Sequence, residues 1–294
     1  MAKNLLATTI FVILAIALVS CDVLGTMESM GENIVGVDTA QVATAVSSVT
    51  VKEENRTTIE TSDKTTIDGR EVNNASTFKY TNAAGQSQEL YTVGTTTAED
   101  GSEKNVIGLG GTIIELPSDS TIKLDEIKAV LPPQDLSAVS NKLTGSNKEE
   151  MLKQLETPVT DETTKEAAQG TKAVVQVLLE SADNMIAEDE ASKELVEKIL
   201  DNMNAEDSEM TMGDVVVLQA LTNLICETPA TIAELAKEDT KTSEASGNSA
   251  TQLLEEANDT IMATAEILNT VSASTTLFEG VDLTVLMNTF MSTK

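Results

Sequence analysis

The sequence predicts a mainly α-helical protein: an irregular helical bundle in the C-terminal half, preceded by a Thr-rich N-terminal region that is partly β or flexible. From Leu124 onward, apolar residues recur at helical spacing in segments bounded by capping residues. Residues 50 to about 120 are instead rich in Thr, Ser, Asn and Gly, and their apolar residues are sparse. Aromatic residues make up 2% of the chain and Trp is absent, so the core must consist of Leu, Ile, Val, Met and Ala.

The first twenty residues have the three parts of an export signal. Lys3 supplies their only charge, residues 10–19 form an unbroken apolar run, and the small residue Ser20 follows. A helix needs about 20 apolar residues to cross a bilayer, so this run is too short to be a membrane span. We therefore assign residues 1–20 to a signal peptide.

Leu18, Val19, Ser20 and Cys21 are an aliphatic residue, a tolerant position, a small residue and a cysteine. This pattern resembles the lipobox of bacterial lipoproteins, and the resemblance covers only about the first 21 residues. It implies cleavage between Ser20 and Cys21, and a lipid with acyl chains such as palmitate on the Cys21 thiol. The protein would then be held on the extracytoplasmic side of the inner or the outer membrane. The alternative is an ordinary secretory signal followed by a chance cysteine.

The chain after the signal divides into three parts. Residues 21–37 carry the lipidated cysteine and a tether. Residues 38–120 begin with a short helix and continue as a Thr/Ser/Gly-rich region. Within it, residues 77–81 and 89–93 alternate like strands around a turn-prone stretch, which predicts a β-hairpin, and residues 57–67 suggest a further strand. Residues 121–294 form the predicted α-helical domain.

Capping residues and apolar stripes place the helices of this domain. We expect Pro132 and Pro133 to open one helix, and Ser146 with Glu149 to form the capping box of a second. Further helices are predicted over residues 161–187, 189–203 and 249–272, with shorter ones after Pro229 and over residues 282–291.

Thr211 and Asp214 are suited to cap the most apolar helix of the mature chain, residues 215–225. This helix is apolar nearly all round, which is typical of the middle of a bundle. Cys226 follows in the same apolar context, and we interpret it as a small buried hydrophobe rather than a reactive thiol. Because Cys226 is the only cysteine besides Cys21, a lipidated Cys21 would leave no internal disulfide.

The sequence carries no motif for catalysis or metal binding. The chain has no histidine, which excludes Ser-His-Asp and Cys-His catalysis and every His-ligated metal site. Residues 202–213 are acidic enough to suggest calcium, but they lack the first acid, the sixth-place glycine and the closing glutamate of an EF-hand. Residues 108–111 lack the Lys-Ser/Thr pair of a phosphate loop and are interpreted as a turn. We therefore expect no catalytic residues, no cofactor and no metal.

The net charge of the chain limits the kinds of partner that it can bind. Loss of residues 1–20 removes the charge of Lys3 and takes the net charge from −29 to −30. Such a charge opposes binding to nucleic acid, which is itself a polyanion. The sequence thus predicts a membrane-anchored envelope protein with a non-enzymatic binding or structural role, through contacts with an envelope protein. The alternative is an extracytoplasmic enzyme or solute-binding protein that uses Asp/Glu chemistry.

Overall fold

The structure is a computed structural model, and it describes residues 39–81, 85–98, 100–118, 120–183, 190–205 and 209–223, together with 267, 270–271, 274–279 and 281. The predicted signal peptide and tether, Cys226 and the predicted helices after Pro229 and over residues 282–291 lie outside the described residues. The chain forms two compact units. Described residues within Thr50–Pro133 and Val159–Ser208 belong to the first unit, and the others belong to the second.

The first unit contains a five-stranded antiparallel sheet in which each strand pairs with the next one along the chain. Its strands are β1 (Thr58–Ile67), β2 (Arg70–Thr81), β3 (Ser87–Thr97), β4 (Glu103–Leu109) and β5 (Thr112–Glu115). The predicted mainly α-helical class is therefore wrong, because an extended sheet accompanies the helices. The segments 77–81 and 89–93 lie in paired strands, with Thr77 opposite Thr92.

The sheet forms in the part of the chain where apolar residues are sparse. Its many threonines are β-branched, and β-branched side chains fit the pleated surface of a strand. A strand also needs fewer apolar residues than a helical bundle, because alternate side chains suffice to bury one face. Four side chains of the sheet are fully buried and supply the apolar surface that it needs: Val72, Phe78, Tyr91 and Ile107. Low apolar density was therefore a poor guide to the fold here.

The sheet curls until non-neighbouring strands meet. The guanidinium of Arg70 in β2 lies 2.6 Å from the Glu115 carboxylate in β5, although β3 and β4 separate these strands in the sheet. Glycines permit close approach at two places in the sheet: Gly94 between the neighbouring strands β3 and β2, and Gly108 between β4 and the non-neighbouring strand β1. A Cβ on Gly94 would lie 2.7 Å from both the carbonyl oxygen of Asn73 and Cγ1 of Val72, and a Cβ on Gly108 would overlap the side chain of Ile67.

The helices are α1 (Thr39–Ser47), α2 (Ser137–Leu143), α3 (Lys148–Leu155), α4 (Glu162–Asp183), α5 (Glu190–Asn204) and α6 (212–223). The long helices predicted over residues 161–187 and 189–203 correspond to α4 and α5. The two prolines do not open a helix, because residues 131–136 are not helical and α2 starts at Ser137. The predicted capping box before α3 is also wrong: Asn147, not Ser146, is the N-cap, and no side chain caps this helix.

Helix α4 packs against an extended segment, residues 127–131, in the first unit. Ala129, Val130 and Leu131 are fully buried, and a Cβ on Gly170 would overlap the carbonyl of Ala129. The N–H of Leu131 donates to the hydroxyl of Thr171 over 2.7 Å. This bond supplies an acceptor for a buried backbone group that has no helix or sheet partner.

The second unit contains α1, α2, α3 and α6. Residues 215–218 of α6 are almost completely inaccessible, as expected for a helix in the middle of a core. The side chain of Asn223 binds the backbone of Gln134 twice, accepting from its N–H over 3.0 Å and donating to its carbonyl over 2.6 Å. The start of α6 is held by Asp214, described next.

Candidate functional site

The residues predicted to carry the lipid, Ser20 and Cys21, lie outside the described residues, as does Cys226. Their assignment therefore stays a prediction from the sequence. Among the residues that are described, no helix is long and apolar enough to cross a bilayer.

Asp214 is the centre of an extensively hydrogen-bonded polar cluster among the described residues of the second unit. Its side chain is fully buried, and Thr211 donates to it through its N–H (2.8 Å) and its hydroxyl (2.9 Å). Thr276 donates in the same two ways, each over 2.9 Å, and the N–H of Leu277 donates over 3.0 Å. The N–H of Asp214 in turn donates to Thr211 Oγ1, which completes the predicted capping box. Five donors occupy this carboxylate, so its role is to fix the start of α6.

Metal binding has little support in the described part of the chain. No group of three or more His, Cys, Asp or Glu side chains there is placed to hold an ion. The acidic stretch considered for calcium, residues 202–213, is described only in part. Asn204 lies within this stretch, accepts a hydrogen bond from the side chain of Gln176, and lines a different site.

That site is a cleft of about 380 Å³ in the first unit, which we call the α4 cleft. One wall is the segment 121–128, and the other is one face of α4. The α4 face consists of Glu166, Gln169, Gly170, Ala173 and Gln176, and Asn204 of α5 completes the lining. These α4 positions follow the spacing i, i+3, i+4, i+7 and i+10, so they form one continuous stripe.

The shape of the α4 cleft follows from this stripe. From Glu166 to Gln176 a helix rises about 15 Å, because each of the ten steps adds about 1.5 Å. Ala173 lies between the larger side chains of Gln169 and Gln176 and leaves a depression on the helix, whereas Gly170 lets the backbone of Ala129 pack directly against it. The α4 cleft is therefore elongated, and its volume falls within the usual range of ligand sites, about 300–1,000 Å³.

Most of the charges in the α4 cleft are paired within the protein. Glu166 binds the guanidinium of Arg56, and the ammonium of Lys123 lies 3.0 Å from Glu126. The hydrogen bond to Glu126 and its negative charge raise the pKa of Lys123 above its usual value. Lys128 is a further cation of the lining, and it is exposed. The two carboxylates of the lining are therefore each held in an ion pair by a cation of the protein itself.

Side-chain amides supply much of the hydrogen-bonding capacity of the α4 cleft. Gln176 is only 6% exposed, and its Nε2 donates to Oδ1 of Asn204 over 2.7 Å. Gln169 presents a third amide from the exposed side of α4. Each amide offers two donor hydrogens and one acceptor oxygen. The α4 cleft can therefore form several directional hydrogen bonds with a small polar ligand or an extended chain.

These residues were not predicted from the sequence. The pattern of apolar residues indicated the helix that carries them and its apolar stripe, but not the polar groove on another face of the same helix. The spacing of Glu166, Gln169 and Gln176 around two small residues was a readable signal for a polar groove on α4. The contribution of Asn204 was not readable, because it depends on how α5 packs against α4.

No family model matches the chain, and no curated protein and no solved structure is significantly similar to it. Arguments about function must therefore rest on the residues and on the geometry described above.

Proposed function

We propose that this protein is a lipoprotein of the bacterial cell envelope that acts as a non-enzymatic binding component for another envelope protein. The observation that carries the proposal is the sequence Leu18-Val19-Ser20-Cys21, whose first two residues end a ten-residue apolar run. The cysteine supplies the thiol that takes the diacylglyceryl group. Two or more acyl chains give stable membrane anchoring, whereas a single chain binds only weakly and reversibly.

The anchor places the folded part within a limited distance of the membrane. Eighteen residues lead from Cys21 to Thr39, where α1 begins. An extended chain of this length spans at most about 60 Å. Confinement to this layer raises the effective concentration of neighbouring envelope proteins, so modest contacts suffice for association.

The chemistry of the chain supports binding rather than catalysis. Histidine is absent from the sequence, so a carboxylate or lysine would have to act as general base. Two carboxylates are held by donors of the protein itself: Asp214 accepts five hydrogen bonds, and Glu166 is paired with Arg56. Their oxygens are occupied by these donors, which leaves them poorly placed to contact a substrate.

The net charge of −30 favours a partner with a basic surface. Attraction between opposite surface charges accelerates association and weakens as salt rises, because the screening length falls to about 8 Å at physiological ionic strength. We expect the association rate with the partner to fall as salt increases. The solute-binding alternative is supported by one observation, the α4 cleft, whose volume would accommodate a small polar solute.

Two experiments test the proposal. In the first, cells are labelled with a palmitate analogue. The wild type and the matched control Cys226→Ala should incorporate label, and Cys21→Ala should not. Equal labelling of the Cys21→Ala protein would refute the anchor, because the label would then be attached elsewhere.

The second experiment crosslinks surface proteins in intact cells and identifies the products by mass spectrometry. We expect one envelope protein to be recovered with the wild type and to be depleted with Cys21→Ala, since loss of the anchor removes the shared surface. If no protein is recovered, and the purified protein instead turns over or tightly binds a small molecule, the enzyme or solute-binding alternative is correct.

A further inference from the structure

We infer that the α4 cleft binds an extended peptide segment of the partner protein, mainly through hydrogen bonds to the peptide backbone. This inference rests on the proposed function and adds to it the place of contact and the chemistry that is recognised. Its basis is the amide lining of the α4 cleft, the length of the cleft, and an amide oxygen in its lining to which no described residue donates a hydrogen bond.

The side-chain amide of Gln176 is the central feature. Although Gln176 is only 6% exposed, no described residue donates a hydrogen bond to its Oε1. Its Nε2 donates one hydrogen to Asn204 and keeps the other. Gln176 lines the α4 cleft and therefore has one donor hydrogen and one acceptor oxygen, not engaged by any described residue, with which it can bind a ligand.

One donor and one acceptor on a rigid amide match a peptide backbone. In an extended chain, the N–H and the C=O of the same residue point to the same side, so one glutamine amide can bind both. The hydrogen bond to Asn204 fixes the orientation of the Gln176 amide before a ligand arrives. Such preorganisation lowers the entropic cost of binding.

The dimensions of the α4 cleft agree with this ligand. Its α4 wall is about 15 Å long, and an extended chain advances about 3.3 Å per residue, so the α4 cleft accommodates roughly four residues. The small side chain of Ala173 leaves room for a backbone to lie close to the helix between Gln169 and Gln176, whereas the space over Gly170 is filled by the carbonyl of Ala129. The paired charges of Glu166 and Lys123 leave little preference for a strongly charged ligand.

The test uses the detergent-solubilised full chain and a defined probe, the capped tetrapeptide acetyl-Ala-Ala-Ala-Ala-amide. Binding is followed through the ¹⁵N side-chain amide signals of Gln176 and Asn204 during a titration. The same peptide with N-methylated backbone nitrogens lacks the donors that Oε1 of Gln176 needs. Maltotriose and free glycine represent a saccharide and a small zwitterion.

Two variants alter the α4 cleft in different ways. Gln176→Leu replaces the amide with an apolar side chain of similar size, which suits a buried helical position. Ala173→Leu keeps every amide and fills the depression. The matched control is Gln154→Leu, on α3 in the second unit. Circular dichroism melting is measured for each variant to verify folding.

We expect the capped peptide to shift both signals, and both cleft variants to weaken its binding by about tenfold or more while Gln154→Leu leaves it unchanged. Equal binding of the N-methylated peptide, or unchanged binding in Ala173→Leu, would overturn the inference. Absence of peptide binding, or shifts caused only by maltotriose or glycine, would overturn it as well. If the peptide fails but crosslinking still recovers an envelope protein, the inference fails and the proposed function stands.

Discussion

Replacement of Asp214 by alanine tests whether the buried carboxylate holds the second unit together. The substitution removes the acceptor for three backbone N–H groups, those of Thr211, Thr276 and Leu277, and for two hydroxyls. The hydroxyls can rotate towards other acceptors, but the N–H groups cannot. The stability of the unit should therefore fall mainly through these three backbone donors.

The size of the effect follows from the cost of an unsatisfied buried donor, about 1–3 kcal/mol each. Leu277 is fully buried, so its N–H carries the full cost, whereas Thr211 and Thr276 are partly exposed and water can replace some of their bonding. With about 1–3 kcal/mol for Leu277 and about 1 kcal/mol each for Thr211 and Thr276, we expect Asp214→Ala to lower the free energy of unfolding by about 3–5 kcal/mol. Asp214→Asn keeps one acceptor oxygen and should cost about 1–2 kcal/mol.

The assay is hydrogen exchange of the α6 amides, because a chain with two units need not unfold in a single step. The matched control is Asp201→Ala, which removes an exposed carboxylate from α5 and should change stability by less than about 0.5 kcal/mol. If α6 exchange in Asp214→Ala were as slow as in the control, the carboxylate would not be holding the start of α6.

Two further predictions concern the sheet and the start of α2. Gly94→Ala places a Cβ 2.7 Å from Cγ1 of Val72 and should destabilise the sheet by about 1–3 kcal/mol, seen as faster exchange of the β2 and β3 amides, while the exposed Thr97→Ala has little effect. Hydrogen bonds from the side chain and the N–H of Ser137 lower the pKa of Asp135. The stability that this bond contributes is therefore present above the unfolded pKa of about 3.9 and is lost as pH falls through the lower folded pKa. The amide chemical shift of Ser137 should titrate with a midpoint below that value, and a midpoint at or above it would contradict the assignment.

The elements that could be predicted are those whose signals lie within a few residues of each other. Helix α4 was located because its apolar residues repeat at helical spacing after Asp161, whose carboxylate accepts the N–H of Thr164 over 2.7 Å. The Thr211–Asp214 box was recognisable for the same reason, since three residues separate its members. Predictions from proline alone were weaker, because Pro132 and Pro133 are equally compatible with the extended segment that the structure contains.

The sequence by itself predicted α4, α5 and the paired strands at 77–81 and 89–93, because those preferences depend on side-chain branching and apolar spacing along a short stretch. Only the tertiary structure decided that five strands assemble into one curled sheet, since that depends on Gly108 allowing β4 to approach Ile67 of the non-neighbouring strand β1. It also decided the α4 cleft, which combines residues 121–128, one face of α4 and Asn204. These groups are far apart in the chain, and their meeting depends on packing free energy summed over many contacts, which no local pattern records.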